Sequence, residues 1–344
     1  MKARFANKQE IANWNKHVLS NPDGGNGFAS YEFAMIKKLG GYKPCFIFVD
    51  NVAITVLQKR ALYFSRLWYL PKGPGVTDNK MLWEVLAALK PLAKKCGVFA
   101  IRIEPELDQS QETALRRHGL AKAHPILPNS STIIMDISAS LDDIMTALPQ
   151  KGRHAIKRAE RDGVIVKQVQ ADEKNCRLMY KLLTQTAEGR FGPRDYTYYK
   201  NYWQSFTKAE AGQLFFAYSG NKVVAGAFAM VFGQKSIYKD GASLRERPVY
   251  GASHLLQWRV IEWAKSKGSK SHDLCGTPPR SEIGNPDHPF YGIGRFKLSF
   301  AKTVTDFVGC YDYIINPLLH KLWVKFGEKV AHRLYWAKHH TNYY

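Results

Sequence analysis

The chain is 344 residues long, 45% hydrophobic and 23% charged, the composition of a folded protein rather than a disordered one. Its 50 Lys and Arg against 29 Asp and Glu give a formal net charge of +21. A surplus of that size favours a polyanionic partner, meaning nucleic acid, a phosphorylated substrate or an acidic membrane surface. No apolar run approaches the roughly 20 residues that cross a bilayer. Five widely spaced cysteines (Cys45, Cys96, Cys176, Cys275, Cys310) form no CxxC pair, which argues against a zinc site and against a disulfide framework. The polar N-terminus, MKARFANKQEIANWNKHV, lacks the apolar core of a secretory leader, so a cytoplasmic protein is expected.

In chain order, the predicted elements repeat. Residues 45–57, CFIFVDNVAITVL, are two apolar runs around Asp50-Asn51, and residues 214–229, LFFAYSGNKVVAGAFA, are two around Gly220-Asn221. Both read as strand–turn–strand. A third strand and loop follow each hairpin, LWYLPKGPGV in the first half and SIYKDGAS in the second. Each loop opens an amphipathic helix, Lys80 to Cys96 stopped by Gly97 and Ser253 to Lys267 stopped by Gly268. Each helix leads into another strand, VFAIRIEPEL or SHDLCGTPP. Matching elements lie ~170 residues apart, the mark of a duplicated domain rather than a solenoid.

Between the halves, Asp142-Asp143 start a helix that Pro149 ends, and a basic helix runs from about Lys151 to Asp162. The expected division is residues 1–148, joined by the C-terminal helix of 317–344, and residues 149–316. The basic helix (Lys151, Arg153, Lys157, Arg158, Arg161) fits a surface that tracks a nucleic-acid backbone and equally a solvated face. Residues 291–300, YGIGRFKLSF, read as a strand approached flexibly through Gly292 and Gly294. Arg295, Lys297 and Ser299 then share one face and Phe296, Leu298 and Phe300 the other. A lysine there suits an active-site cation or an edge strand guarded against aggregation. In the tail, Leu319, Leu322, Trp323, Phe326, Val330, Leu334 and Ala337 recur at helical spacing beside a Lys321, Lys325, Lys329 row. Such a helix either meets an acidic lipid surface or packs its apolar face back on the first domain.

KGRHAIKRAERDGV, YGASHLLQWRVIEWAKSKG, HDLCGT, YGIGRFKLSF and VGCYDYIINP follow in order through the second half, with YLPKGPGV in the first. The ordered set resembles the FemABX family, aminoacyl-tRNA-dependent transferases that build peptidoglycan interpeptide bridges. The resemblance implies an α/β (α+β) fold of two tandem GNAT-like acyltransferase domains, with mixed sheets flanked by helices. A short span separates the helix near Asn175 to Ala187 from RDYTYYKNYW, so the type without a coiled-coil arm is expected. It further implies transfer from aminoacyl-tRNA to the stem-peptide amine of a precursor, UDP-N-acetylmuramoyl pentapeptide or lipid II. Aminoacyl-tRNA is then a co-substrate, and no cofactor or metal is expected. The expected protein is a monomer, cytoplasmic or peripheral at the inner face of the membrane through its C-terminal basic helix.

An aminoacyl ester is already activated, so such an enzyme must align amine and carbonyl, route a proton and stabilise an oxyanion. The resemblance gives the last role to Lys297, with Phe296 shaping the channel for the tRNA acceptor end. It gives the precursor's diphosphate to Lys37, in YEFAMIKKLGGY, and Arg194, in RFGPRDYTYY, a pair of cations that neutralises such a group. Tyr69, Tyr198 and Tyr238 match phenols around the same substrate, and Lys72 lies in the Lys-Gly-Pro loop. Their plain alternatives are aromatic core and an exposed turn. Two departures stand out: Asp240 replaces a tyrosine, and DLCG replaces a DFGG- or DFWG-like strand, bringing in Cys275, a small buried residue or a thiol. Glu104, Asp240 and Asp273 are candidate proton acceptors, although the ribose hydroxyl of the tRNA can itself carry the proton. Two rival readings are an acyl-CoA-dependent GNAT acyltransferase and a non-catalytic RNA- or membrane-binding protein. Neither half shows a Q/R-x-x-G-x-G/A pyrophosphate loop, which weighs against the first.

Overall fold

The structure, a computed structural model, describes residues 1–61, 65–127, 130–187, 192–244, 246, 248–340 and 343–344. The chain forms two compact units, Met1–Ser130 with Asp306–Tyr344, and Ser131–Thr305. The first is built on a sheet in the order Ala3–Phe5, Lys43–Val49, Val52–Arg60, Arg66–Leu70, Val98–Ile103, Tyr311–Ile314 and Ala121–Lys122. The sheet of the second runs Thr305–Asp306, Ser131–Asp136, Ser271–Gly276, Lys235–Ser243, Lys222–Phe232, Gly212–Ser219 and Ile165–Val169.

Each sheet follows one plan. An antiparallel hairpin pairs with a third strand, and a helix then crosses to a parallel neighbour. Arg66–Leu70 reaches its parallel partner Val98–Ile103 through the helix Asn79–Lys95. Lys235–Ser243 reaches Ser271–Gly276 through the helix Ala252–Ser266. Asp78 caps the first crossover helix, accepting the Met81 N–H at 2.8 Å, and the helix buries Leu82, Val85, Leu86, Leu89 and Ala93 along one face. Gly251 precedes the second with φ 79°, and a Cβ there would lie 2.1 Å from the Ala155 carbonyl oxygen. Only glycine lets that helix approach Gln150–Arg161 so closely. Each unit has its own core, around Trp68, Leu86, Ile101 and Tyr311 in the first and Phe215, Ala227, Ile261 and Leu274 in the second.

The duplication expected from sequence is present, but the division of the chain differs. Strand pairing sets it, not the helix end at Pro149. Ser131–Asp136 pairs with Ser271–Gly276 and belongs to the second unit. Tyr311–Ile314 pairs with Val98–Ile103 and with Ala121–Lys122 and belongs to the first. The boundaries therefore fall at 130/131 and 305/306, not at 148/149 and 316/317. Between the helices Glu173–Ala187 and Tyr196–Lys208 lie residues 188–195 alone, too few for a helical arm; residues 188–191 are outside the described residues.

The second correction concerns 291–300. Tyr291–Lys297 is a helix, not a strand. Phe296 and Phe300 are four apart and meet at 5.4 Å between ring centroids, so a helical period fits them as well as a period of two. Gly294 is no flexible approach, because a Cβ there would lie 2.8–2.9 Å from Ile283 and Pro278. The tail forms the helices Pro317–Leu322 and Glu328–His339, joined by a π-helical turn over Trp323–Gly327. Its apolar residues do not share one fate: Trp323 is fully buried, whereas Leu322, Phe326, Val330 and Leu334 are exposed.

Candidate active site

Lys297 is the last residue of its helix and is buried. Its ammonium donates to the Gly276 carbonyl oxygen at 2.6 Å. Burial lowers its pKa from 10.5 to about 8, against the opposing pull of Cys275 and Asp273. The end of the strand Ser271–Gly276 is shaped to present that carbonyl. Cys275 adopts φ 62°, and the register with Ser131–Asp136 shifts between Asp273 and Gly276. The Asp273 carboxylate accepts the Cys275 N–H at 2.7 Å and also meets the Thr132 hydroxyl. On the other side, Gly152 of the helix Gln150–Arg161 packs against the turn after Lys297; a Cβ at 152 would lie 1.9 Å from the Ser299 carbonyl oxygen. Phe296 packs edge-on to His254 at 5.0 Å and to Phe300. His272, two residues before Leu274, points inward between Ser236 (2.7 Å) and Gln257 (2.6 Å), and burial holds it neutral with a pKa of about 3. It is not a base for this site.

A second group in the same unit gathers cations and aromatic rings. The Arg194 guanidinium lies 4.8 Å from the Tyr198 ring, and Tyr198 contacts Tyr202 at 6.1 Å. Lys239 lies 4.9 Å over Tyr202 and 2.9 Å from Asp240. Asp240 also accepts the Trp203 indole N–H at 2.9 Å. Burial works against the Lys239 charge, but Asp240 and the surrounding phenols outweigh it and raise the pKa well above 10.5. Lys239 escaped the sequence reading, although a Lys-Asp pair inside an apolar strand was the available signal. Asp240 is thus committed to a cation and an indole, a poor arrangement for a general base. Tyr238, the neighbour of Lys239, is pushed up by burial first and by Asp240 and Cys275 next.

The first unit holds Lys37, Tyr69, Lys72 and Glu104. Lys37 is buried in the last turn of Tyr31–Leu39, 5.6 Å from both the Phe33 and Tyr42 rings. Tyr69 is fully buried and its hydroxyl donates to Glu104. Glu104 also accepts the N–H groups of Ile126 (2.6 Å) and Leu127 (3.1 Å). These two side chains therefore fix a loop: Tyr69 does not present its phenol outward, and the Glu104 carboxylate is occupied. Lys72 is not an exposed turn residue. It has φ 51°, lies 3.8 Å from Glu106 and sits 5.1 Å over the Phe307 ring.

A model of the GNAT acetyltransferase domain matches residues 150–288. The lipid II:glycine glycyltransferase of Staphylococcus aureus (strain MRSA252) is 23% identical over 409 aligned positions, spanning 93% of this chain and 94% of that one. The crystal structure of FemX is similar with a TM-score of 0.78 at 20% identity, over 94% of this chain and 99% of that one. L-PGS from Bacillus licheniformis shares the fold less closely, with a TM-score of 0.55 at 13% identity over 94% and 97%. Two GNAT-like units in tandem, each with a hairpin, a crossover helix and a parallel strand, define the class as a tandem-GNAT acyltransferase fold. Within that class the chain is similar to FemX in fold and to the glycyltransferase in sequence over more than nine-tenths of its length.

Proposed function

We propose that this protein is an aminoacyltransferase that moves an amino acid from aminoacyl-tRNA to the stem-peptide amine of a peptidoglycan precursor, forming an interpeptide bridge. The observation that carries the reading is Lys297, a buried ammonium held by a backbone carbonyl at the end of a short helix. The amine attacks the ester carbonyl, a tetrahedral oxyanion forms, and its collapse makes the amide while breaking the ester C–O bond. The proton lost by the amine goes to the departing ribose oxygen. Lys297 offsets the oxyanion charge, and a cation held away from water is worth more there than one in bulk solvent. Glu104 and Asp240 are occupied by other donors, which favours the ribose oxygen as proton acceptor. The reading gives Phe296, packed on His254 and Phe300, the shaping of the channel for the tRNA acceptor end. The reading assigns Arg194, Tyr198 and Tyr238 in the second unit, and Lys37 and Lys72 in the first, to precursor recognition. It needs no cofactor or metal, since the donor ester is already activated.

The Staphylococcus aureus relative is named for lipid II and glycine, and a lipid-linked acceptor would require this protein to work peripherally at the inner face of the membrane. Among the described residues no helix is long and apolar enough to cross one. The reading is tested by incubating the protein with charged tRNA and either nucleotide-linked or lipid-linked precursor, with and without ribonuclease. Transfer abolished by ribonuclease is expected. Transfer from acyl-CoA that ignores ribonuclease overturns the tRNA donor.

A further inference from the structure

The C-terminal helical segment commits only part of its apolar surface to the first unit. Its inward row is anchored at several points. Trp323 is fully buried beside Phe99 (5.8 Å) and Tyr343 (6.2 Å). Glu328 accepts from Arg102 at 2.6 Å, and the Tyr335 hydroxyl donates to the Gly40 carbonyl at 3.3 Å. Lys59 lies 4.7 Å from the Tyr335 ring and 4.6 Å from the Tyr343 ring. A second row, Leu318, Leu322, Phe326, Val330 and Leu334, is between 50% and 69% exposed. Each of Lys321, Lys325, Lys329 and Arg333 immediately precedes a member of that row and is also exposed. Residues four apart drift by about 40° per step in a straight α-helix. The wider π-helical turn over Trp323–Gly327 offsets that drift and keeps the apolar row on one side.

We propose that this face docks on the surface of an anionic lipid bilayer. The apolar row enters the boundary between headgroups and acyl chains, and the four cations meet lipid phosphates. Charge selects this occupant. Residues 317–340 hold five Lys and Arg against one carboxylate, Glu328, and Glu328 is already held by Arg102 and Tyr344. A second copy seated on the same face would bring one cation row against another. Nucleic acid would take the cations but leave the large apolar side chains in water. A bilayer satisfies both rows. The proposal stands whether or not the transferase reading does, because it uses no residue of that site.

The test is flotation of the full chain with vesicles of phosphatidylcholine alone and of phosphatidylcholine mixed with phosphatidylglycerol, whose anionic headgroups give the surface a negative potential, at low and high salt. Binding to the anionic vesicles, weakened by salt, is expected. Leu322→Ser with Phe326→Ser and Leu334→Ser should lower partitioning at least about tenfold. Lys321→Gln, Lys325→Gln and Lys329→Gln together should lower it about fivefold per charge and flatten the salt dependence. All these side chains are exposed, so thermal melts should stay near wild type, and Ile165→Ser, an exposed apolar change in the second unit, should leave flotation unchanged. No binding to anionic vesicles, or binding indifferent to the serine variant, overturns the proposal. So does a wild-type dimer that the serine variant converts to monomer without lipid binding, or RNA binding lost only in the glutamine variant.

Discussion

At the scale of one residue, the buried Lys297 ammonium costs the fold stability. Its folded pKa of about 8 lies below the ordinary 10.5, so the folded state resists the charge more than the unfolded chain does. Between about pH 8 and 10.5 the unfolded state binds more protons, and stability should rise with pH through that window. Below it the full penalty applies, on the order of 3 kcal/mol, partly offset by the hydrogen bond to Gly276. Lys297→Met should therefore lose about 10²-fold or more in turnover while melting higher than wild type at pH 7, with the gain shrinking toward pH 10. Turnover of the wild type should fall on the alkaline side around pH 8, where the ammonium is lost. A pH–rate profile and melts at the two pH values check both halves. Near-normal turnover in the variant removes Lys297 from the chemistry. Lys297 stood out in sequence only through its surrounding motif, because period alone suits an active-site cation and an edge-strand lysine alike. Lys239 was legible only as half of a Lys-Asp pair, and its setting was not, since that depends on Tyr202 and Trp203 more than thirty positions away.

At the scale of the element, the misread segment 291–300 shows what sequence pattern leaves open. Alternate aromatic and aliphatic residues over five positions satisfy a strand, and the same residues taken four apart satisfy a helix. The deciding facts are contacts with Pro278, Ile283 and Gly152, which lie outside the segment. They also make a prediction about the two neighbouring helices. Gly152→Ala would push a Cβ into a backbone carbonyl that cannot swing aside, destabilising the fold by about 1–3 kcal/mol. Because that carbonyl belongs to Ser299, two residues after Lys297, turnover should fall as well. Gly292→Ala, in the helix that ends at Lys297, meets nothing within 4 Å and should be neutral or stabilising by up to about 1 kcal/mol. Melts and initial rates on the two variants separate the readings. Equal behaviour would mean that the close approach of Gly152 does not hold the helix in place.

At the scale of the whole molecule, the duplication was legible because each hairpin, crossover helix and strand is local in sequence. The unit boundaries were not, because they depend on pairing between strands far apart in the chain. The first unit is closed across the inserted second one, and the closure has a centre. Arg102 donates to both oxygens of Asp312, at 2.8 and 3.0 Å, to Glu328 at 2.6 Å and to the Tyr344 hydroxyl at 3.2 Å. His320 lies 3.1 Å from the same Asp312 carboxylate. One side chain thus joins the strand Val98–Ile103 to the returning strand, the C-terminal helix and the last residue. Arg102 and Asp312 are both almost fully buried, so removing one partner strands the other's charge. Arg102→Met should cost about 3–5 kcal/mol at pH 7. Burial pushes the Asp312 carboxyl up, but hydrogen bonds from His320 and Arg102 outweigh it and hold its pKa below 3.8. A depressed carboxylate contributes stability above its unfolded pKa and loses it as pH falls through the folded value. The deficit of Arg102→Met should therefore be largest near neutrality and narrow as Asp312 becomes protonated. Urea midpoints for both proteins at pH 7 and near the ordinary aspartate pKa of 3.8 measure it. A deficit that stays constant would place the worth of Arg102 in its bond to Glu328 and in packing, not in the pairing with Asp312.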